Sequence, residues 1–285
     1  MQVKLKMIRK MSNDSELSHR ISELKGINLN YGDYRRTLLH FHTPASHDYR
    51  VLPTTTKRTY QAYTENEIEK IARDRQLFRF PKFQKDNYLQ NMAEKNSLFT
   101  DYKELLSYLL IGDTLFRKQV DLAIITDHNT ISGYDKLKDA INILKKGYGG
   151  DVPYPHIQLG IEISCGDSLH VVAIFDEQAR NSIMSFLEEK LVTEHLGTFL
   201  PSWEVIEKVN NLGGIAYVAH FNSTRVLSDD EFGRAYSGAY KKRLLSPVNM
   251  KLVGLSDLEK VEPLKAKLRR DRGLEDVTVL YDEDS

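Results

Sequence analysis

Four short aliphatic runs in this chain end in histidine or carboxylate, and that repetition limits the fold more than any other feature. Thr37-Leu38-Leu39 runs into His40-Phe41-His42, and Val120–Ile125 stops at Thr126-Asp127-His128-Asn129. Ile157–Ile163 carries Glu162 at its end, and Gly214–Ala219 stops at His220. Two further runs read as strands: Leu169–Phe175, with His170 at its start, and Lys251–Leu255. Helical spacing of apolar residues separates most of them, over about 64–115 with Pro81 as a break, and over Asp135–Leu144, Glu177–Glu189 and Trp203–Asn211. Strands alternating with helices predict an α/β fold with mainly parallel strands. In a barrel of parallel strands the C-terminal edge carries the active site, and there the histidines and acids would converge.

Composition narrows the choice. A chain of 285 residues can bury a substantial core without disulfide or metal support. Forty Lys+Arg against forty Asp+Glu exclude a general basic coat for polyanions, though not a local patch. The one cysteine, Cys165, excludes an internal disulfide framework and a multi-cysteine zinc cage, and reads as a small buried residue. Met1–Asp14 has no apolar core of a secretory signal, and no run reaches the ~20 apolar residues of a bilayer span. A soluble, cytoplasmic protein without a membrane partner is the expectation.

The chemistry follows from residue type and register. In His40-x-His42 both imidazoles point to one side of a strand, because alternate side chains share a face. Two such nitrogens suit one metal. Carboxylates from Glu162, Asp127 or Asp48 would make a mixed nitrogen/oxygen set, which suits zinc, manganese or iron. His19, His156 and His195 read as ordinary surface or loop residues.

His40-Phe-His42-Thr-Pro-Ala-Ser46-His47-Asp48-Tyr resembles the first motif of the PHP (polymerase and histidinol phosphatase) superfamily. Ile125-Thr126-Asp127-His128-Asn129 resembles its second motif and Gly160-Ile161-Glu162-Ile163 its third. His170-Val-Val-Ala-Ile-Phe and Gly214-Ile-Ala-Tyr-Val-Ala219-His220 are similar to the two elements that follow. The five occur in the family's order and span about two thirds of the chain. The resemblance implies a distorted (β/α)7 TIM-like barrel that holds two or three divalent ions and hydrolyses phosphoesters. It implies that His40 and His42 bind a first metal, that Glu162 bridges to a second, and that His170 and His220 complete the second. Asp48, or its neighbour His47, would join His128 on a third, with Asp127 orienting its neighbour or a water. His128 or Asp127 could relay protons, and Arg225 could hold a substrate phosphate.

The family closes its site with a late Ser-Asp-x-His element. Here the near match is Ser256-Asp257-Leu258-Glu259, with glutamate in place of histidine. Val253–Asp257 therefore reads as the preceding strand and the closing motif as missing, which leaves the barrel incomplete at its C-terminus. Asp257 stays only a secondary ligand candidate, because Ser-Asp before a helix is a common N-cap. Asp282-Glu283-Asp284 then reads as an internal point of a longer protein.

Residues 1–36 read as a lead-in and 37–285 as the barrel, with a helical, locally basic insert at about 57–118. Within that insert Arg75, Arg79, Lys82 and Lys85 interleave with aromatic residues, and Lys241-Lys242-Arg243 follow the His220 strand. Cations can track a phosphate backbone while rings stack on bases, which turns the substrate expectation towards nucleic acid or nucleotides. The opening motif is most similar to PHP domains that head SMC-like ATPases, some linked to defence against phage. No Walker-type loop is present, so an SMC-like or AAA ATPase would be a separate domain or subunit. A nuclease or phosphatase is the leading expectation. The alternative is a catalytically weak PHP module that binds nucleic acid or regulates a larger ATPase assembly. A zinc amidohydrolase is a third option, but its bridging lysine and late aspartate have no clear counterpart.

Overall fold

The computed structural model describes residues 35–52, 58–77, 97–148, 153–224, 226–227 and 238–282. Two compact units divide the chain after Arg36, and the unit from Thr37 onward contains the elements below. Its strands are β1 (Thr37–Phe41), β2 (Leu122–Ile125), β3 (His156–Ser164), β4 (His170–Phe175), β5 (Leu191–Thr193), β6 (Gly197–Thr198), β7 (Ile215–Val218), β8 (Leu252–Leu255) and β9 (Thr278–Tyr281). Its α-helices are α1 (Glu65–Asp74), α2 (Tyr102–Arg117), α3 (Ser132–Tyr148), α4 (Arg180–Lys190), α5 (Ser202–Asn211), α6 (Gly238–Leu244) and α7 (Val261–Arg272).

Seven strands form one sheet in the order β1-β2-β3-β4-β7-β8-β9, while β5 and β6 make a separate hairpin. All neighbours in the large sheet pair in parallel except β3–β4 and β4–β7, so β4 runs against the other six. The strict β/α alternation of a (β/α)7 barrel is broken at this point. Only residues 165–169 join β3 to β4, closed by Cys165 N–H to Leu169 O (2.9 Å) and Ser168 N–H to Cys165 O (3.0 Å). A parallel crossover needs a dozen or more residues, so a link this short forces a hairpin. The reversal is useful, because it places His170, the first residue of β4, at the edge where the parallel strands end.

The seventh strand is the main departure from the sequence reading, which ended its pattern at Lys251–Leu255. β9 pairs with β8 from Thr278↔Leu252 to Tyr281↔Leu255, so the sheet is not short of a strand at this edge. Its next residue, Asp282, bonds His40 at the end of β1 (2.5 Å), so the sheet curls until its two edge strands meet at their C-terminal ends.

Helix α2 shows what the described part of the insert does. Asp101 caps it by accepting from Glu104 N–H (2.7 Å), and Leu105, Leu106, Tyr108 and Leu109 are wholly buried. A helix apolar on most faces is a core element. Its buried Glu104 takes Lys136 of α3 at 2.6 Å, which compensates the charge. Among the described residues no helix is long and apolar enough to cross a membrane.

Candidate metal centre

Each ligand-bearing segment reaches the C-terminal edge for a local reason. At the end of β1, Phe41 packs into the core while His40 and His42 take the opposite face. Thr126 locks this end to β2: its N–H donates to Phe41 O (3.0 Å) and its hydroxyl meets Phe41 N–H (3.2 Å). Beyond β2 the chain turns through Asn129, held left-handed at φ 56°. Glu162 N–H bonds Asp127 O (3.1 Å) and Asn129 N–H bonds Glu162 O (2.8 Å), which sets His128 directly across from Glu162. His220 follows β7 at φ 47°, a conformation costly for a residue with a Cβ. Such strain persists where the surroundings over-determine it, here through its N–H on Asp282 Oδ2 (3.1 Å).

Glu162 is the hub. Its buried Oε2 lies 2.9 Å from His40 Nε2, 3.1 Å from His42 Nε2 and 3.5 Å from His128 Nε2. Its Oε1 lies 2.8 Å from His170 Nδ1 and 3.8 Å from His220 Nε2. Asp48 closes one side, with Oδ1 2.8 Å from His42 Nδ1 and Oδ2 3.3 Å from His128 Nε2. Among the described residues three overlapping groups have ligand atoms within 4.8 Å of one another: His40–Glu162–His220, His42–Asp48–His128 and His128–Glu162–His170. The resemblance pairs His40 with His42 and His170 with His220; these distances group His220 with His40 and His170 with His128.

The donor set fits divalent cations. Asp282 on His40 Nδ1 and Asp48 on His42 Nδ1 favour N–H at both δ positions. Both Nε2 lone pairs then point inward, 3.0 Å from each other and beside a carboxylate oxygen. Acceptors crowd in this way where a cation belongs between them, and a carboxylate behind a ligating imidazole is the usual support. Among the described residues the buried His128 Nδ1 has no hydrogen-bond partner, a further nitrogen left open.

The charged groups of the cluster act on one another. Burial pulls His40 towards neutrality, but Asp282 and Glu162 outweigh it and lift its pKa to about 9. Burial pushes Glu162 up, yet bonds from His170, His40 and His42 hold it well below the carboxylate range. Asp48 is depressed in the same way, burial being outweighed by His128 and His42, and Asp282 by His40. His170 is raised, chiefly by its bond to Glu162. The buried acids favour positive charge beside them, which a divalent ion would supply.

Asp127 faces away from this cluster. It accepts Thr43 N–H (2.6 Å) and Thr43 Oγ1–H (2.7 Å), and Thr43 Oγ1 also meets Tyr108 of α2 (2.9 Å). Burial pushes its pKa up to about 6, and its two bonds to Thr43 hold the loop after His42. Gly133 makes room for it, since a Cβ there would stand 2.0 Å from Asp127 Oδ2 and 2.4 Å from Thr43 Oγ1. Helix propensity alone would favour alanine by about 1 kcal/mol. Overpacking wins, so Gly133→Ala is expected to cost about 1–3 kcal/mol in urea unfolding. A neutral result would show that Asp127 and Thr43 can part freely.

Asp257 caps the turn Leu258–Lys260 by accepting from Glu259 N–H (3.0 Å), pairs with Lys260 at 3.3 Å, and belongs to none of the ligand groups among the described residues. The acid that serves the closing edge is Asp282, which the sequence reading passed over. His47 is exposed at the rim, its ring 5.0 Å from His128 and 5.3 Å from His195, and it too is outside the groups. Burial pushes the Cys165 thiol well up, which suits a buried residue and not a nucleophile. Arg225, Arg79, Lys82 and Lys85 lie outside the described residues. Arg75 reaches Thr114 at 3.4 Å, and Arg243 lies 3.8 Å over the Trp203 ring and 3.5 Å from Glu207, so that guanidinium already has a structural role. Lys241 and Lys242 share its helix, α6.

Fold and site together define a curled α/β sheet whose C-terminal edge gathers a histidine–carboxylate cluster suited to divalent metal. A protein of Streptococcus pneumoniae serotype 4, described as uncharacterized, is 32% identical over 233 residues, covering 82% of this chain and 87% of its own. The chain belongs to the same family as that pneumococcal protein. No protein-family model matches the sequence. Among solved structures, a candidate metal-dependent phosphoesterase of Bifidobacterium adolescentis aligns with a TM-score of 0.39 at 15% identity, over 62% of this chain and 81% of that one. PsfC of Pseudomonas syringae aligns with a TM-score of 0.38 at 14% identity, over 63% and 67%.

Proposed function

We propose that this chain is a metal-dependent phosphoesterase of the PHP type that acts on nucleic acid or nucleotides. The observation that carries the reading is Glu162, with both oxygens turned into five imidazoles from four strand-end segments and Asp48 and Asp282 behind them. The five sequence elements that resemble the PHP motifs are the ones that meet there. Divalent ions, two or three of zinc, manganese or iron, would supply a nucleophile from water at neutral pH and offset charge on the phosphoryl oxygens.

The chain's own residues do the rest. His40, His42, Glu162, His128, His170 and His220 would hold the cations, with Asp48 completing the side near His128. Asp282 fixes the ring of His40, and Thr43, Asp127 and Tyr108 hold the loop after His42 still. Exposed His47 and part-exposed His170 mark the open side, where a phosphoester can enter. The catalytically weak alternative rests on the absent closing histidine; Asp282 supplies a carboxylate at that edge, bonded to His40 and to the His220 N–H.

Metal analysis of the purified chain should find two or more equivalents of transition metal. His42→Ala should abolish hydrolysis of an aryl phosphodiester, and an oligonucleotide panel supplied separately with zinc, manganese and magnesium would then define the substrate. One equivalent or none, together with retained hydrolysis in His42→Ala, would end the proposal.

A further inference from the structure

We infer that the β5–β6 hairpin, with Phe199 just beyond it, is an arm that holds the base of a nucleotide whose phosphoester lies in the metal centre. The inference rests on the phosphoesterase reading and names the part of the substrate that this arm recognises.

The arm is fastened to the centre at several points. Glu194 O accepts Asn129 Nδ2–H (2.8 Å), next in sequence to His128. His195 sets its ring edge-on to His47 (5.3 Å), which itself lies 5.0 Å from His128. Gly197, at φ 73°, lies so close to β3 that a Cβ would stand 2.1 Å from Ser164 O, two residues beyond Glu162. Gly166 N–H bonds Leu200 O (2.9 Å), which ties the arm to the turn leading into His170.

A backbone held this firmly could have tucked its apolar side chains inward. Instead Leu196 is 68% exposed and Phe199 84% exposed, on either side of the anchored Gly197-Thr198. A lone exposed apolar residue needs no explanation; two on an arm tied to the centre offer an aromatic ring and an apolar neighbour beside it. A flat base joined to a phosphate held at the centre would give the Phe199 ring a stacking partner. Stacking on an aromatic ring tolerates every base, so the arm would grip without reading sequence.

Titration calorimetry on the full chain, loaded with manganese, tests this without turnover. Wild type should bind thymidine 5′-phosphonate more tightly than methylphosphonate. Phe199→Ala should shrink that preference about tenfold, with Phe199→Trp restoring it. Metal content of each variant shows whether the centre is intact. An unchanged preference in an intact Phe199→Ala, or equal weakening of both ligands, would overturn the arm while leaving the phosphoesterase reading standing. Failure of the metal-loaded wild type to bind either phosphonate would remove both. Sedimentation showing a dimer that Phe199→Ala dissolves would assign the ring to a second copy and also refute the proposal.

Discussion

Glu162→Gln should empty the metal centre and reduce phosphoester hydrolysis to below about one thousandth, a loss of roughly 4 kcal/mol of transition-state stabilisation. The side chain is conserved in shape, so the effect would come from charge. Glu162 is the one group within reach of all three ligand clusters or their neighbours, with His40, His42 and His128 on one oxygen and His170 and His220 on the other. An amide oxygen can replace only one of the two carboxylate oxygens, and the NH2 would put a donor, without negative charge, in place of the other. Metal content by mass spectrometry and rates on an aryl phosphodiester would check this. A variant that kept full metal and more than a tenth of the rate would show that the Glu162 charge is not needed to hold the metal.

Asp282→Ala should be the second large effect, and it separates support from ligation. The substitution takes away the partner of His40 Nδ1 (2.5 Å), of Tyr217 Oη–H (3.2 Å) and of His220 N–H (3.1 Å) at once. Leaving a buried polar group unsatisfied costs about 1–3 kcal/mol, and the three share one carboxylate, so a loss of about 3–5 kcal/mol in the metal-free protein is expected. Metal affinity should fall about 10–100-fold, as for other groups that orient a ligating histidine. Asp282→Asn, which keeps the shape and one acceptor, should fall between wild type and alanine in both measurements. Urea unfolding and a zinc competition titration would read the two effects. A stability change under about 1 kcal/mol would mean that His40 finds another partner and that the last strand is not needed at the centre.

The sequence made much of this centre legible because strand ends are local features. His40-x-His42 declares its own geometry through the two-residue repeat of a strand, and Glu162, His128 and His220 each interrupt an aliphatic run that could only be buried. His170 is legible as a residue at a strand start, yet its place at the C-terminal edge of the parallel strands depends on β4 running backward. The five-residue link before it carried that information, being too short for a crossover. Asp282 had a signal of the same kind: Val277-Thr278-Val279-Leu280-Tyr281 is β-branched and aromatic and ends in an acid. Ser256-Asp257 is the nearer match to the family's closing element, but its aspartate caps a short helical turn.

What no local pattern could supply is which side chains meet. His40 and Asp282 are 242 positions apart and touch because the sheet curls until its edges join. Asp127 and His128 are neighbours, yet one faces Thr43 and the other Glu162, a division made by the left-handed turn at Asn129 and the space left by Gly133. Sequence by itself determined the residue chemistry and the strand-end positions, because both follow from side-chain type and backbone period. Tertiary structure decided the partners, because coordination and hydrogen bonding need atoms within about 3 Å and only the closed fold brings distant strands that near.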